Sequence, residues 1–214
     1  MQIIAMLTML IDHVGVLYFP ESEIWRIIGR IAFPLYAYGI VQGFVHTKNR
    51  RKYFNRLLML ASISQLPFMF GLQVIGINVI ATFVVCLGIL IVWEVVPSKW
   101  ANLGIIAVAF VVLEALPFDY GAYALLLILT YRFIPRNYWI ATHMALNAAI
   151  FFYQGWEIQI FSIVPTVFLV YAKHLRGIGM EIRVPRWLWR GFYPGHLFIL
   201  AMVTAITEVS LSVE

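Results

Sequence analysis

IIAMLTMLIDHVGVLYF, residues 3 to 19, is an apolar run long enough to cross most of a bilayer, broken at its centre by an acid and an imidazole, Asp12 and His13. A charged carboxylate at such a depth costs about 2.5 to 3.5 kcal/mol on insertion scales, so polar groups there call for a use. The pair is the candidate reaction centre. It also fixes the class of fold, because a run of this kind is expected to be a helix in lipid, where every backbone polar group must be satisfied within its own segment.

The rest of the chain agrees. Of 214 residues, 63% are hydrophobic and 12% charged, and the mean hydropathy is +0.89. A soluble domain of this size would have too little polar surface to cover itself. Met1 leads straight into the apolar run, with neither a basic n-region nor a small-residue cleavage site, so the segment is expected to stay as the first transmembrane helix. The single Cys86 can form no internal disulfide and has no second cysteine for a zinc site.

Nine apolar stretches read as spans: 3–19, 27–45, 57–70, 78–96, 102–116, 120–134, 138–152, 158–172 and 192–210. The third, fifth and seventh are short, which allows tilt or re-entry. With a cytoplasmic N-terminus, nine crossings put 13 of the 15 basic residues on the inner side: the run from Lys48 to Arg56, Lys99, Arg132, Arg136, and the run from Lys173 to Arg190. Dropping one span would split these clusters between the two faces, so the positive-inside rule favours nine. Only Arg26 and Arg30 break the pattern. The expected fold is therefore an all-α integral membrane protein, a polytopic bundle of about nine helices forming one domain over residues 1–214. No internal repeat is visible, which speaks against a transporter made of duplicated halves.

Polar side chains inside these spans recur at helical spacing. Arg30, Tyr38 and Gln42 follow one stripe around Pro34, with Gly39 and Gly43 as a GxxxG expected to bring helices close. His143, Asn147 and Gln154 repeat the device; Asn78 and Thr82 form a third set, and Tyr193, His196, Thr204 and Thr207 a fourth. The plain reading is interhelical hydrogen bonding, and for Asn147, Thr82 and Gln42 it is the stronger one. Basic loops such as HTKNRRKYFNR (46 to 56) and KHLRGIGMEIRVPRWLWR (173 to 190) serve topology first, or hold a phosphorylated head group, with Arg50, Arg51, Lys52, Arg186 and Arg190 as the residues to do so. Topology gives no reason for Arg30. It either snorkels to the outer head groups or pairs with Asp12 or an anion. Asp12 and His13, adjacent and so about 100° apart around a helix, are expected to find separate partners on other helices.

TMLIDHVG (8 to 15), IIGRIAFPLYAYGIVQGFVHTKNRRKY (27 to 53), NVIATF (78 to 83), FDYGAYALLLILTYR (118 to 132) and FYPGHLFIL (192 to 200) together resemble the TraX family, in order and over nearly the whole chain. One departure stands at Gln65, where many relatives are expected to carry an acid before Leu-Pro; no carboxylate role transfers there. The resemblance implies an integral membrane acetyltransferase of the cell inner membrane, since founding members N-acetylate the processed N-terminus of conjugative pilin. A more distant likeness joins multi-span acyltransferases that take acyl groups from cytoplasmic acyl-CoA with an intramembrane His. Asp12, His13, Arg30 and His196 occupy matching motif positions.

That chemistry suits the residues. Rise per residue puts His196 in the cytoplasmic half, His13 near the midplane and Arg30 in the outer half. Acetyl-CoA would rest its phosphates on the inner basic loops, near His196 and Tyr193, and send its thioester toward His13, the expected general base. Arg30, or a Tyr or Asn from a facing stripe such as Tyr38, Asn78 or Asn147, would stabilise the oxyanion, and Asp12 would fix Arg30 or a polar neighbour. Expected partners are acetyl-CoA, a pilin-like peptide or envelope acceptor and the bilayer, with no nucleic acid and no metal. Two other classes remain open: a transporter or proton relay using Asp12, His13 and His143, and a b-type haem protein with two axial His.

Overall fold

The computed structural model describes residues 1–171 and 184–211, with side chains described as far as residue 207. Among these the chain is all-helical: α1 (Gln2–Tyr18), α2 (Glu23–Gly29), α3 (Ala32–His46), α4 (Arg50–Leu72), α5 (Val79–Val95), α6 (Lys99–Ala115), α7 (Gly121–Phe133), α8 (Trp139–Gln154), α9 (Ile163–Tyr171) and α10 (Arg186–Leu211). Short 3-10 turns, Arg136–Tyr138 and Glu157–Ser162, lead into α8 and α9. Of the basic residues expected on the inner side, Lys173, Arg176 and Arg183 lie outside the described residues.

Each of the nine apolar stretches carries a helix, with differences that have local causes. The second divides: α2 ends at Gly29, and Arg30 and Ile31 form a turn before α3. The third, expected to be short, is 23 residues long because the charged segment RRKYFNR opens α4. Asn49 caps it, its side chain accepting from the Lys52 N–H at 2.8 Å. α10 likewise starts six residues before its apolar core, at Arg186. The combined stretch Glu23–His46, 24 residues, is by length and composition apolar enough to cross a membrane.

α7 is the centre. Ala122, Tyr123, Ala124, Leu125, Leu127 and Ile128 are all 0 or 1% exposed, so the helix is apolar and covered on every side. It packs against α3, α5, α6 and α8. On the other side of α3 lie α1, α2, α4 and α10, with α4 and α10 forming the most extensive helix pair. Their closest approach is at Gly71, where a Cβ would stand 2.6 Å from the Leu197 carbonyl oxygen.

Asn78 joins three elements. Its Oδ1 caps α5 by accepting from the N–H groups of Ile80 and Ala81, while its Nδ2 donates to the Ala61 carbonyl at 2.9 Å and to Gln65 Oε1 at 2.7 Å. Gln65 also donates to the Gly76 carbonyl, and so clamps the α4–α5 connection to α4. A neutral amide does this by donating and accepting at once, which a carboxylate could not. At the same end Ile77 bonds to the Pro117–Asp119 connection through backbone groups.

Candidate functional site

Between α1, α3, α4 and α10 runs an elongated cavity of about 1530 Å³. At one end, called proximal, it is lined by Gln42, Tyr53, Arg56, Trp189 and Arg190; at the distal end by Glu23, Arg26, Asp119, Tyr120, Glu157 and Gln159. Asp12, His13, Tyr36 and Tyr193 line the stretch between. Tyr38 lines it too.

Asp12 and His13 have separate partners, as their angle on the helix requires. Asp12 is 9% exposed and receives Arg30 Nη2 at 3.1 and 3.3 Å from its two oxygens, with Arg26 Nη1 at 3.6 Å. Gly29 makes the approach possible. A Cβ there would fall 2.1 Å from Asp12 Oδ1, so the acid lies directly against the backbone of α2. Because the chain turns at Arg30, that side chain is free of the α3 stripe predicted for it. It reaches Asp12, donates through Nη1 to Gln159 Oε1 at 3.2 Å, and lies 5.7 Å over the Tyr120 ring. Tyr120 has a left-handed backbone, φ 63°, uncommon for a bulky residue, and its ring is stacked on Phe33 with centroids 3.8 Å apart. Burial pushes the neighbouring Asp119 carboxyl up to about 6, against the opposing pull of Arg30.

His13 meets His196. Nδ1 of His13 is 2.8 Å from Nε2 of His196, and Nδ1 of His196 is 2.6 Å from the Phe192 carbonyl oxygen. With centroids 5.0 Å apart and planes within 14°, the imidazoles lie edge to edge along this bond. The proton positions follow. A carbonyl oxygen only accepts, so His196 carries its proton on Nδ1; its Nε2 must then accept, and His13 must donate from Nδ1. Neutral His13 is left with a bare lone pair on Nε2. His196 is therefore at the depth of His13 and not nearer the proximal end, because α10 begins earlier than its apolar core indicates.

Several predicted residues lie elsewhere. His143 and Asn147 do not line the cavity: they belong to a closed network in which the Tyr123 hydroxyl is 2.8 Å from His143 Nε2, donates to Asn147 Oδ1 at 2.8 Å, and lies 3.0 Å from Ser162 Oγ. His143 Nδ1 is paired with Thr166, which also meets Tyr131. With 0% exposure, His143 is a packing residue. Asn78 is a cap and a clamp, also away from the cavity. Gly39 does not pack helices together: a Cβ there would meet nothing within 4 Å, because it faces the cavity, whereas Gly43 does make close contact, with the Tyr53 ring. Arg50 pairs with Glu94, which Arg132 also approaches at 3.7 Å. Arg51 and Lys52 line a shallow surface groove beside Arg56, and Arg186 is exposed. Among the described residues, no three His, Cys, Asp or Glu side chains converge as metal ligands would.

Gln159 is the site residue that carries no signal in the sequence. It lies in WEIQIFS (156 to 162), which reads as the head of an apolar span, yet the 3-10 turn directs its side chain to Arg30.

An all-helical bundle built around a long cavity, with an ion pair and the His13 imidazole on its wall and His196 behind His13, defines the class of this protein. The chain belongs to the TraX family: it matches the family described as TraX protein over residues 1–204. It is also similar to the probable fimbrial assembly protein FimC, serogroup H1, of Dichelobacter nodosus, with 36% identity over 72 residues. That match covers 32% of this chain and 29% of the relative's length. No solved structure matches.

Proposed function

We propose that this chain is an integral membrane acetyltransferase, moving the acetyl group of cytoplasmic acetyl-CoA to an acceptor amine such as a pilin-like peptide N-terminus, or to a hydroxyl, with His13 as general base. The observation that carries the reading is the bare Nε2 of His13 beside a large cavity, held in that tautomer by His196 and the Phe192 carbonyl. A group that must take a proton needs its lone pair presented to the substrate and its other nitrogen anchored.

In this reading nine spans cross the inner membrane with the N-terminus cytoplasmic. The support is the charge asymmetry of the sequence, the apolar Glu23–His46 stretch, and the large apolar residues turned outward, such as Leu66 and Phe70 on α4, Val108 and Val111 on α6, and Ile199 and Ile206 on α10. Arg56 and Arg190 at the proximal end, with Trp189 beside them, suit the phosphates and adenine of CoA. The acceptor nitrogen attacks the thioester carbon, forming the C–N bond while the carbonyl π pair moves to oxygen. His13 Nε2 takes the proton from that nitrogen. On collapse the C–S bond breaks, and the CoA thiolate recovers the proton from His13.

The test is transfer of labelled acetyl from acetyl-CoA to a peptide amine by the full chain in lipid nanodiscs. Saturable transfer is expected, falling about 10²- to 10⁴-fold in His13→Ala and falling also in His196→Phe, which frees the tautomer. A wild-type protein with no saturable acetyl-CoA affinity, whose transport of any solute survives His13→Ala, would sink the reading.

A further inference from the structure

We propose that the hydroxyls of Tyr36 and Tyr53 form a binding track for the pantetheine arm of the acyl donor, Tyr53 meeting the amide nearer the phosphates and Tyr36 the amide nearer the sulfur. The assignment rests on the acetyltransferase reading and adds to it what recognises the donor between its phosphates and its thioester.

In the closed half of the bundle the fold itself uses its tyrosine hydroxyls: that of Tyr123 meets His143, Asn147 and Ser162, and that of Tyr131 meets Thr166. Tyr36 and Tyr53 differ. Both line the cavity, and among the described residues neither hydroxyl has a hydrogen-bond partner. Neither is sealed inside the protein, since both residues are half-buried and their oxygens keep open surface. The wall around them is apolar, with Ile40, Leu57 and Leu60. Each hydroxyl is thus a lone polar point on an apolar surface, the pattern of a ligand site in which a few polar groups fix orientation.

Their placement follows the donor. Tyr53 belongs to the proximal end: the Arg56 guanidinium lies 6.0 Å from its ring centroid, and its hydroxyl rests on Gly43 of α3, where a Cβ would stand 2.6 Å away. Tyr36 is seven residues before Gly43, on the same face of α3 and about 10 Å along its axis. Its ring is stacked on Trp189 with centroids 4.8 Å apart, and it packs on the cluster that holds Met9 and Tyr193. The Tyr193 ring in turn meets that of His13 edge-on, with centroids 6.4 Å apart. From the proximal end inward the order is Arg56, Tyr53, Tyr36, His13. A CoA thioester carries its groups in the matching order: phosphates, one amide, a second amide, then sulfur and acyl carbon. A hydroxyl both donates and accepts, so each tyrosine can serve the N–H or the C=O of an amide. Tyr38, about 200° around α3 from Tyr36, is turned onto the rings of Tyr131 and Trp139 and stands off this line.

The test uses the full chain in nanodiscs with three donors: acetyl-CoA, S-acetylpantetheine, which keeps both amides without the nucleotide, and S-acetyl-N-acetylcysteamine, which keeps only the amide next to the sulfur. Wild type should prefer the pantetheine ester to the cysteamine ester in kcat/KM by at least about 3-fold, the worth of one net hydrogen bond. Tyr53→Phe should cut that preference by about 3- to 10-fold, whereas Tyr36→Phe should keep it and lower kcat/KM for both esters by a similar factor. Calorimetry gives a readout apart from turnover: each variant should weaken the Kd of acetyl-CoA by about 3- to 10-fold. Melting temperatures should not change, because phenylalanine keeps the rings in place and removes no hydrogen bond of the fold. A role in packing alone would move all donors together and leave the preference intact in Tyr53→Phe. That result, wild-type acetyl-CoA Kd in both variants, or equal use of the two esters by wild type overturns the track and leaves the acetyltransferase standing; the hydroxyls then hold water only. Should a variant fail to fold, the wild-type preference between the two esters decides. Wild-type protein that binds no acetyl-CoA and transfers from none of the three donors overturns both.

Discussion

A Cβ on Gly29 would stand 2.1 to 2.4 Å from the carboxyl group and Cβ of Asp12, so α1 and α2 can meet at this level only because position 29 has no side chain. Gly29→Ala must push Asp12 off Arg30, adding overpacking to a broken buried ion pair. We expect a loss of about 3 kcal/mol in thermal unfolding in detergent, with most of it absent when Asp12→Ala is already in place, since the two changes act on one contact. Asp12, His13 and Arg30 stand out in the sequence through their cost in an apolar run. The pairing of Asp12 with Arg30 was legible as well, because Arg30 has no topological use. The partner of His13 was not: hydropathy locates the apolar part of α10, and the charged turn that precedes it shifts every depth counted from its start.

Among the elements, α5 depends on residues outside itself. Asn78→Ala removes the cap of its first turn and the side-chain donor to the Ala61 carbonyl and to Gln65 Oε1, which keeps the backbone N–H of residue 78. The expected cost is about 3 kcal/mol, read as a lowered melting temperature, with faster hydrogen exchange at Ile80 and Ala81 than in the rest of α5. The helices were readable because each apolar stretch is long enough to need one. Their ends were less so. RRKYFNR is helical through its cap and the apolar helix it continues, and a search for apolar windows gives such a turn no weight. Polar stripes were the least faithful guide: the same spacing leads Tyr38 and Gln42 into the cavity, and His143 and Asn147 into a closed network, because periodicity locates a face and not what lies opposite it.

For the whole molecule the proposal of nine crossings is the claim most open to trial. Cysteines introduced singly at Lys48 and Lys99 should react with impermeant maleimide only from the cytoplasmic side, and those at Glu21 and Ile75 only from the other. The four positions are exposed, and the native Cys86 is fully buried and will not contribute signal. Labelling of all four from one side would discard the arrangement. The bundle also has a division of labour that no single helix reveals: α7 and its neighbours form a closed solid, while α1, α3, α4 and α10 enclose space.

The open face of Gly39 gives that space a thermodynamic meaning. Glycine inside a helix gives up roughly 0.5 to 1 kcal/mol relative to alanine. At Gly29 and Gly71 that loss accompanies a close approach, but at Gly39, as at Gly104, Gly191 and Gly195, there is no neighbour for a methyl to strike, and of these four it is Gly39 that lines the cavity. The position exchanges helix stability for vacant volume, and each carbon added there would strengthen α3 while narrowing the room left for a guest. Position 39 is thus a natural ruler, one Cβ long at its first mark, for the size of what this wall can admit.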